Sequence, residues 1–556
     1  MPKPTPTRRP PVRHVICLDG TWNNPAKEKT TADGGSAYKP TNVLKTARAT
    51  LDADPTLGVI TLLENPADGA SLQIDGKPYT FQVDLTDGDG HVRIDSRGAR
   101  KTLENLRFAI NRRDGQNRYG ASTLQHPHVR ASKVPREPDR LVLLPRDTGS
   151  GSPAFAGLEH DLEGAFVSDR SKLSSLLDDR GYDPRLPIPQ STYYDIGVGG
   201  SRKYPGGWNA VHHQADKLAG GARGAGFEAN VEDAYTYLCL NYQEGDELFF
   251  FGFSRGAACV RSLVNFVDWM GGLLQSSNAY YVPFFFDHYL RHGGTAGATP
   301  VRQQLRDEGI AKRVAEGASP QEAATETDEL LGSIIDAPIR YVGVWDTVLA
   351  IGDRVKHFLQ DRPPARVQSI RHALAVDEWR DDFTPHIWQG PSPGQSLEQR
   401  WFAGVHTDVG GGYPTFTLSN TPLRWILEGA QHAGLGLDWD FLANYVENPK
   451  ACQHESKSFK WKLKDLSWFR KQKGVRPIEI GRDGTLDLHP SVLKRLAITD
   501  VTICDGDDQA IPIRYRPANL LDALKAQADL LTFLKRAGLN EEEQETVAQA
   551  VAEHKA

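Results

Sequence analysis

The residues best suited to chemistry stand in three short segments: a serine between glycines, an aspartate at the end of an apolar run, and a histidine ahead of three glycines. The first is Glu247–Ala258, ELFFFGFSRGAA, an apolar run that enters Gly-x-Ser-x-Gly and continues into small, helix-compatible residues. A strand that turns sharply into a helix holds its serine hydroxyl above the sheet, and the glycines relieve the crowding of that turn. Ser254 is then a nucleophile candidate. The backbone N–H of Arg255 and the positive end of the following helix can stabilise an oxyanion.

Such a serine needs a histidine base and an acid that orients it, in the order Ser, Asp or Glu, His. Ile339–Val348, IRYVGVWDTV, places Asp346 at the C-terminal end of a strand, where open sheets form their sites. Trp401–Tyr413, WFAGVHTDVGGGY, places His406 between a strand and a glycine turn that lets backbone approach closely. Asp408 is the main rival for the acid, since it could equally bind the backbone of its own turn, and Asp353 is a weaker rival. The loop after the first strand, Leu18–Asn23, would face the same sheet edge. Its Gly20 and Thr21 are candidates for a second oxyanion donor, with Asp19 shaping the turn. An Asp-x-Asp-Gly-Thr phosphotransferase reading of this loop fails because Cys17 stands where its nucleophilic aspartate belongs.

Strands must position these groups. Apolar runs at His14–Asp19, Thr192–Ile196, Glu247–Phe253, Ile339–Trp345 and Gln399–Ala403 alternate with helical patterns at Phe227–Tyr242, Gly256–Met270, Arg366–Glu378 and Leu423–His432. That order predicts an α/β class with a doubly wound, largely parallel sheet. Gly58 to Pro153 reads differently, as short strands around one helix at Lys101–Asn111, and looks inserted. The expected organisation is a discontinuous hydrolase-like catalytic domain at 1–57 and 157–500 with a helical cap at about 272–336. An inserted α+β module occupies 58–156 and a C-terminal helical extension 501–556. The polar stretch Gly157–Gln190 fits either the insert or the main domain.

Composition sets outer bounds. The 556 residues carry 71 acidic and 65 basic side chains, a net charge of −6, so no global basic field favours nucleic acid. Five cysteines, Cys17, Cys239, Cys259, Cys452 and Cys504, form no CxxC pair, which predicts neither a disulfide framework nor a structural metal and suits synthesis in a reducing compartment. The basic N-terminus lacks the apolar core of a signal peptide, and no run approaches the ~20 apolar residues of a membrane-spanning helix.

In its ordered blocks the sequence resembles the α/β-hydrolase domain of type VI secretion lipase effectors. The matching blocks are CLDGTWNN at 17–24, TNV at 41–43, YYDIGVGG at 193–200 and NYQEGDELFFFGFSRGAACVR at 241–261, then VGVWDTV at 342–348, RHALAVDEWRDDF at 371–383, WFAGVHTDVGGGY at 401–413 and LHPSV at 488–492. The resemblance implies a triad of Ser254, Asp346 and His406, a phospholipase acting on acyl esters of glycerophospholipids, and an antibacterial effector made in the bacterial cytoplasm and delivered to a target-cell periplasm or membrane. It implies an immunity protein as a partner. The insert resembles a small module of phage tail proteins, which implies docking on a secretion spike or tube component; a solvated decoration without partner is the other reading. The alternatives in activity are a soluble carboxylesterase or thioesterase, and a non-enzymatic tail-associated binding protein. The mechanism demands no cofactor or metal, although Asp-rich loops offer the oxygen ligands that Ca²⁺ takes.

A phospholipase must also reach lipid. Between Lys457 and Arg476 eight basic residues face one acidic residue, and Phe459, Trp461 and Leu463 alternate with Lys460, Lys462 and Lys464, with Trp468 following. Period-two alternation separates aromatics from lysines, the pattern of an interfacial patch for anionic lipid or of a half-buried strand with a solvated face. The aromatic run Tyr280–Phe286 offers a second route as a lid, or forms the core of the cap.

Overall fold

A computed structural model of the chain describes residues 11–20, 29–30, 36–37, 40–54, 56–113, 117–134, 137–146, 156–169, 187–197, 225–292, 297–349, 359–380, 383–413, 417–455, 476–478, 486–504 and 510–554. Two compact units are present. One comprises Met1–Arg13, Ala49–Ser191 and Gly434–Asn444, the other His14–Arg48, Thr192–Ala433 and Tyr445–Ala556.

The larger unit is built on the strands β1 (Arg13–Leu18), β2 (Ile188–Asp195), β3 (Glu247–Phe253), β4 (Ile339–Trp345), β5 (Val367–Ala375) and β6 (Ser396–Phe402). Their spatial order is β6-β5-β4-β3-β1-β2. The pairs β3/β4, β4/β5 and β5/β6 are parallel, whereas Ile188 and Pro189 pair antiparallel with Asp54 and Ala53. The class is mixed α/β.

β3 and β4 are buried along both faces, which explains why their sequences are apolar throughout rather than alternating. Leu248 and Phe250 of β3 and Val342 and Val344 of β4 share a core with the helices α2 (Ala225–Asn241) and α3 (Arg255–Met270). Side chains at the alternate positions point the other way: the Tyr341 hydroxyl donates to the Ile426 carbonyl of α5 (Asn420–His432) at 2.7 Å.

One predicted helix is a strand. Arg366–Glu378 forms β5, hydrogen-bonded between β4 and β6. Over His372–Ala375 the strand is buried on both faces and loses its period-two signature, and the Ala and Leu spacing of RHALAVDEW then imitates a helix. The other helices and strands lie within a few residues of their expected bounds, except β2, which begins four residues earlier.

The smaller unit has its own apolar core, drawn from Leu57 to Leu162 and centred on Ile60, Leu72, Tyr79, Phe81, Leu106 and Leu143. The helix α1 (Ala99–Asn111) packs there. Strands Leu158–His160 and Ala165–Asp169 pair with Ser71–Ile74 and Gly58–Leu62 respectively, so the first part of Gly157–Gln190 belongs with the strands of the smaller unit.

The C-terminal helices Ala518–Lys525, Leu530–Arg536 and Glu541–Glu553 share a core with Leu374 and Val376 of the β5 region and Trp401 of β6. Cys452 and Cys504 form a disulfide, contrary to the expectation from cysteine spacing. The cause is tertiary: Gln453–His454 pairs in parallel with Val501–Cys504, bringing together Cα atoms 52 residues apart in sequence to 5.8 Å. Cys17, Cys239 and Cys259 are buried and unbridged. Among the described residues no helix is long and apolar enough to cross a membrane.

Candidate active site

Ser254 sits between β3 and α3 with φ 60° and ψ −126°, a strained turn stitched to the neighbouring strand by its own N–H donating to the Trp345 carbonyl at 3.1 Å. Gly256 is required by close approach: a Cβ there would lie 2.2 Å from the Leu18 carbonyl oxygen. As the first residue of α3, Arg255 has an N–H with no intrahelical partner, as the oxyanion role requires.

Asp346, fully buried at the end of β4, also has a positive φ, 39°. Its N–H donates to the Ala373 carbonyl at 2.7 Å and its Oδ1 accepts from the Ala375 N–H at 3.0 Å, so β5 holds both its backbone and its side chain. Oδ2 lies 2.6 Å from His406 Nδ1. Because an ionised carboxylate only accepts, Nδ1 carries the proton and Nε2 is left as the basic nitrogen. His406 opens the short helix α4 (His406–Gly410), and its ring lies against Phe253, the residue before Ser254, with centroids 4.6 Å apart.

Asp408 is occupied elsewhere. Its Oδ1 pairs with His454 Nδ1 at 2.6 Å, and its Oδ2 accepts the backbone N–H groups of Val405 and His454. Asp353 and Thr21 lie outside the described residues, as do Lys460, Trp461, Lys462, Lys464 and Trp468. Gly20 donates its N–H to the carboxylate of Asp19 at 2.7 Å. That carboxylate also accepts from Thr41 Oγ1 at 2.5 Å and the Tyr194 hydroxyl at 2.8 Å, which is how Asp19 shapes the loop. The aromatic run divides: Val282, Phe285 and Phe286 are buried, while Tyr280 and Phe284, four residues apart, are exposed.

Three groups escaped the sequence reading. Arg476, counted there with the solvated basic run, is buried, and its guanidinium spans both oxygens of Asp346, Nη1 to Oδ1 at 2.7 Å and Nη2 to Oδ2 at 3.2 Å. Asp377 and Glu378 leave β5 toward the histidine loop: Asp377 accepts the Gly404 N–H at 2.6 Å and Glu378 that of His406 at 3.2 Å. The TNV block has a similar task, since Asn42 Nδ2 donates to the Val409 and Ser419 carbonyls at 2.9 Å each.

Charges in the site are strongly perturbed. Burial alone would raise the proton affinity of Asp346, but the Arg476 charge and the His406 hydrogen bond outweigh it and hold the carboxyl well below its usual range. Burial lowers the proton affinity of His406 and prevails over the opposing pull of Asp346 and Glu378. Burial pushes Asp377 up to about 6. Among the described residues no group of three or more His, Cys, Asp or Glu side chains is arranged to hold a metal.

Residues 159–429 match the family model described as T6SS, Phospholipase effector Tle1-like, catalytic domain. That segment is similar to the catalytic domain of these phospholipase effectors. Among solved structures, the crystal structure of an uncharacterized protein from Pseudomonas aeruginosa is 13% identical, over 97% of this chain and 62% of that one, with a TM-score of 0.29. The structure of the Tle1 effector bound to the VgrG spike from the Type 6 secretion system is 14% identical, over 78% of this chain and 75% of that one, with a TM-score of 0.26. The chain thus spans less than two thirds of the Pseudomonas aeruginosa protein. No curated protein matches the chain.

Proposed function

We propose that the protein is a serine-dependent phospholipase of the A type, hydrolysing acyl esters of glycerophospholipids as an antibacterial effector of a type VI secretion system. The observation that carries this is the 2.6 Å contact of His406 with Asp346, beside a strained serine elbow, in a segment of the Tle1-like catalytic family.

In this mechanism His406 Nε2 takes the proton of Ser254 Oγ as the oxygen attacks the acyl carbonyl. The imidazolium is stabilised by Asp346, and the oxyanion by the Arg255 N–H and the N-terminus of α3. Collapse of the tetrahedral intermediate expels the lysophospholipid alkoxide, which takes the proton from His406. Water, activated by the same histidine, then cleaves the acyl-enzyme. The winding of the larger sheet is that of an α/β hydrolase, with residues 272–336 as cap and 58–156 as the insert that meets a spike component. Lipid contact runs through the lysines and tryptophans at 460–468, and an immunity protein protects the producer.

The test is mass spectrometry of products from mixed phospholipid vesicles. The wild type should release fatty acid and lysophospholipid, and folded Ser254→Ala should release neither, a loss of several orders of magnitude. Retained turnover in that variant would end the serine reading. Hydrolysis of soluble esters without any action on vesicles would end the phospholipase reading.

A further inference from the structure

The Asp346 carboxylate is held by more than its histidine. Each oxygen accepts from one arm of Arg476, a two-pronged geometry that fixes the carboxylate plane as well as its charge. The guanidinium is itself immobilised: Nη1 also donates to the Ala375 carbonyl at 3.0 Å, and Nη2 to that of Phe383. Its backbone carbonyl accepts from Asn519 Nδ2 at 2.9 Å, and the same amide donates to the Val376 carbonyl at 2.9 Å. Both members of the pair are buried, at 6% exposure for Arg476 and 0% for Asp346. A lone carboxylate so placed would be driven toward its neutral form and could not stabilise an imidazolium.

We propose that Arg476 is a positioning residue of the active site, fixing the Asp346 carboxylate in the ionised form and the orientation in which it serves His406. This rests on the triad reading above. It acts through Asp346 and touches no reacting atom.

The arrangement has a consequence for proton uptake. A fixed positive charge beside the Asp346–His406 pair disfavours the proton that His406 would take up, so removing it should raise the apparent proton affinity of the pair. The other groups facing the pair are Glu378, whose carboxylate accepts the His406 N–H and is paired with Arg380, Asp408, bound to His454, and His372 on β5. Burial drives His372 down to about 3, so it stays neutral and cannot replace the arginine charge.

The full chain carrying Arg476→Met or Arg476→Lys tests this, with activity on a soluble ester followed against pH and His406 followed by NMR of histidine-labelled protein. The Met variant should lose at least tenfold in kcat with little change in KM, and its acid limb should move to higher pH by about one unit. Lysine keeps the charge but not the fork, so it should hold the limb near its wild-type position while recovering kcat only in part. An unmoved limb and an unmoved His406 titration in a folded Met variant would overturn the proposal, leaving Arg476 a structural clamp. Should the Met variant not fold, wild-type kcat in Arg476→Lys would overturn it equally. The NMR titration needs no turnover, so a wild type without Ser254-dependent activity would sink the triad reading separately.

Discussion

Asp346, 60 residues before His406, and Asp408, two residues after it, are the two candidates for the carboxylate that serves it, and their surroundings differ in kind. One is buried against the imidazole and a guanidinium, the other against His454 and two backbone amides. Asp346→Asn should lower kcat by on the order of 10³–10⁴, because the amide favours the wrong histidine tautomer. Asp408→Asn should weaken the fold while the folded fraction keeps turning over, and equal losses of specific activity in the two variants would refute the assignment. For pH, the sign follows from burial: His406 must be neutral to act, and its proton affinity lies below the ordinary 6.5, so activity should persist below pH 6.5 and fall at more acid pH. A pH–rate profile with its acid midpoint above 6.5 would contradict that. The serine, aspartate and histidine of the proposed triad were legible as candidates because each sits in a strand-turn context that the sequence spells out. Arg476 was not, since its burial is decided by strands more than a hundred residues earlier and it ends a stretch rich in basic residues.

At the scale of elements, the turns matter more than the helices and strands they join. The elbow leaves no room at Gly256, and the histidine loop leaves none at Gly410, where a Cβ would lie 1.9 Å from the Phe253 ring. Gly256→Ala should therefore destabilise the protein by roughly 2–4 kcal/mol and misplace Ser254, readable as a lower urea midpoint together with lost turnover. A variant of native stability and activity would show that β1 and the elbow can separate freely. These glycines were visible as motif positions in the sequence, while what they avoid was not. Strand β5 shows the opposite limit: with partners on both edges and His372–Ala375 buried on both faces, its fate is set by neighbours, and local pattern misled. Asp377 and Glu378, which extend it toward Gly404 and His406, could not be given a task until that strand was known.

For the molecule as a whole, the smaller unit's core draws on residues 57–162 together with Ala165 and Val167, so it is closed by its own strands. Replacing Gly58–Asp169 with a short flexible linker should leave hydrolysis of a soluble ester within a fewfold of the wild type, and a folded deletion without turnover would show that the insert builds the site. The deletion must run to Asp169 rather than 156, because Leu158–His160 and Ala165–Asp169 would otherwise lose their partner strands. The Cys452–Cys504 bridge carries the last consequence. Between its ends lies the segment bearing both His454 and Arg476, the outer supports of the histidine loop and of Asp346. Closing a loop of that length restricts the unfolded chain by about 4 kcal/mol on the chain-entropy model. The chain should thus melt several degrees lower with a reductant present, and alkylation without reductant should spare Cys452 and Cys504; labelling of both would remove the bridge from the native protein. Glutathione keeps such pairs open in a cytosol and a periplasm closes them. If the protein is made in a cytosol and delivered to a periplasm, as the proposed function has it, a single sequence has two stabilities, a looser one where it is made and a firmer one where oxidation can complete it.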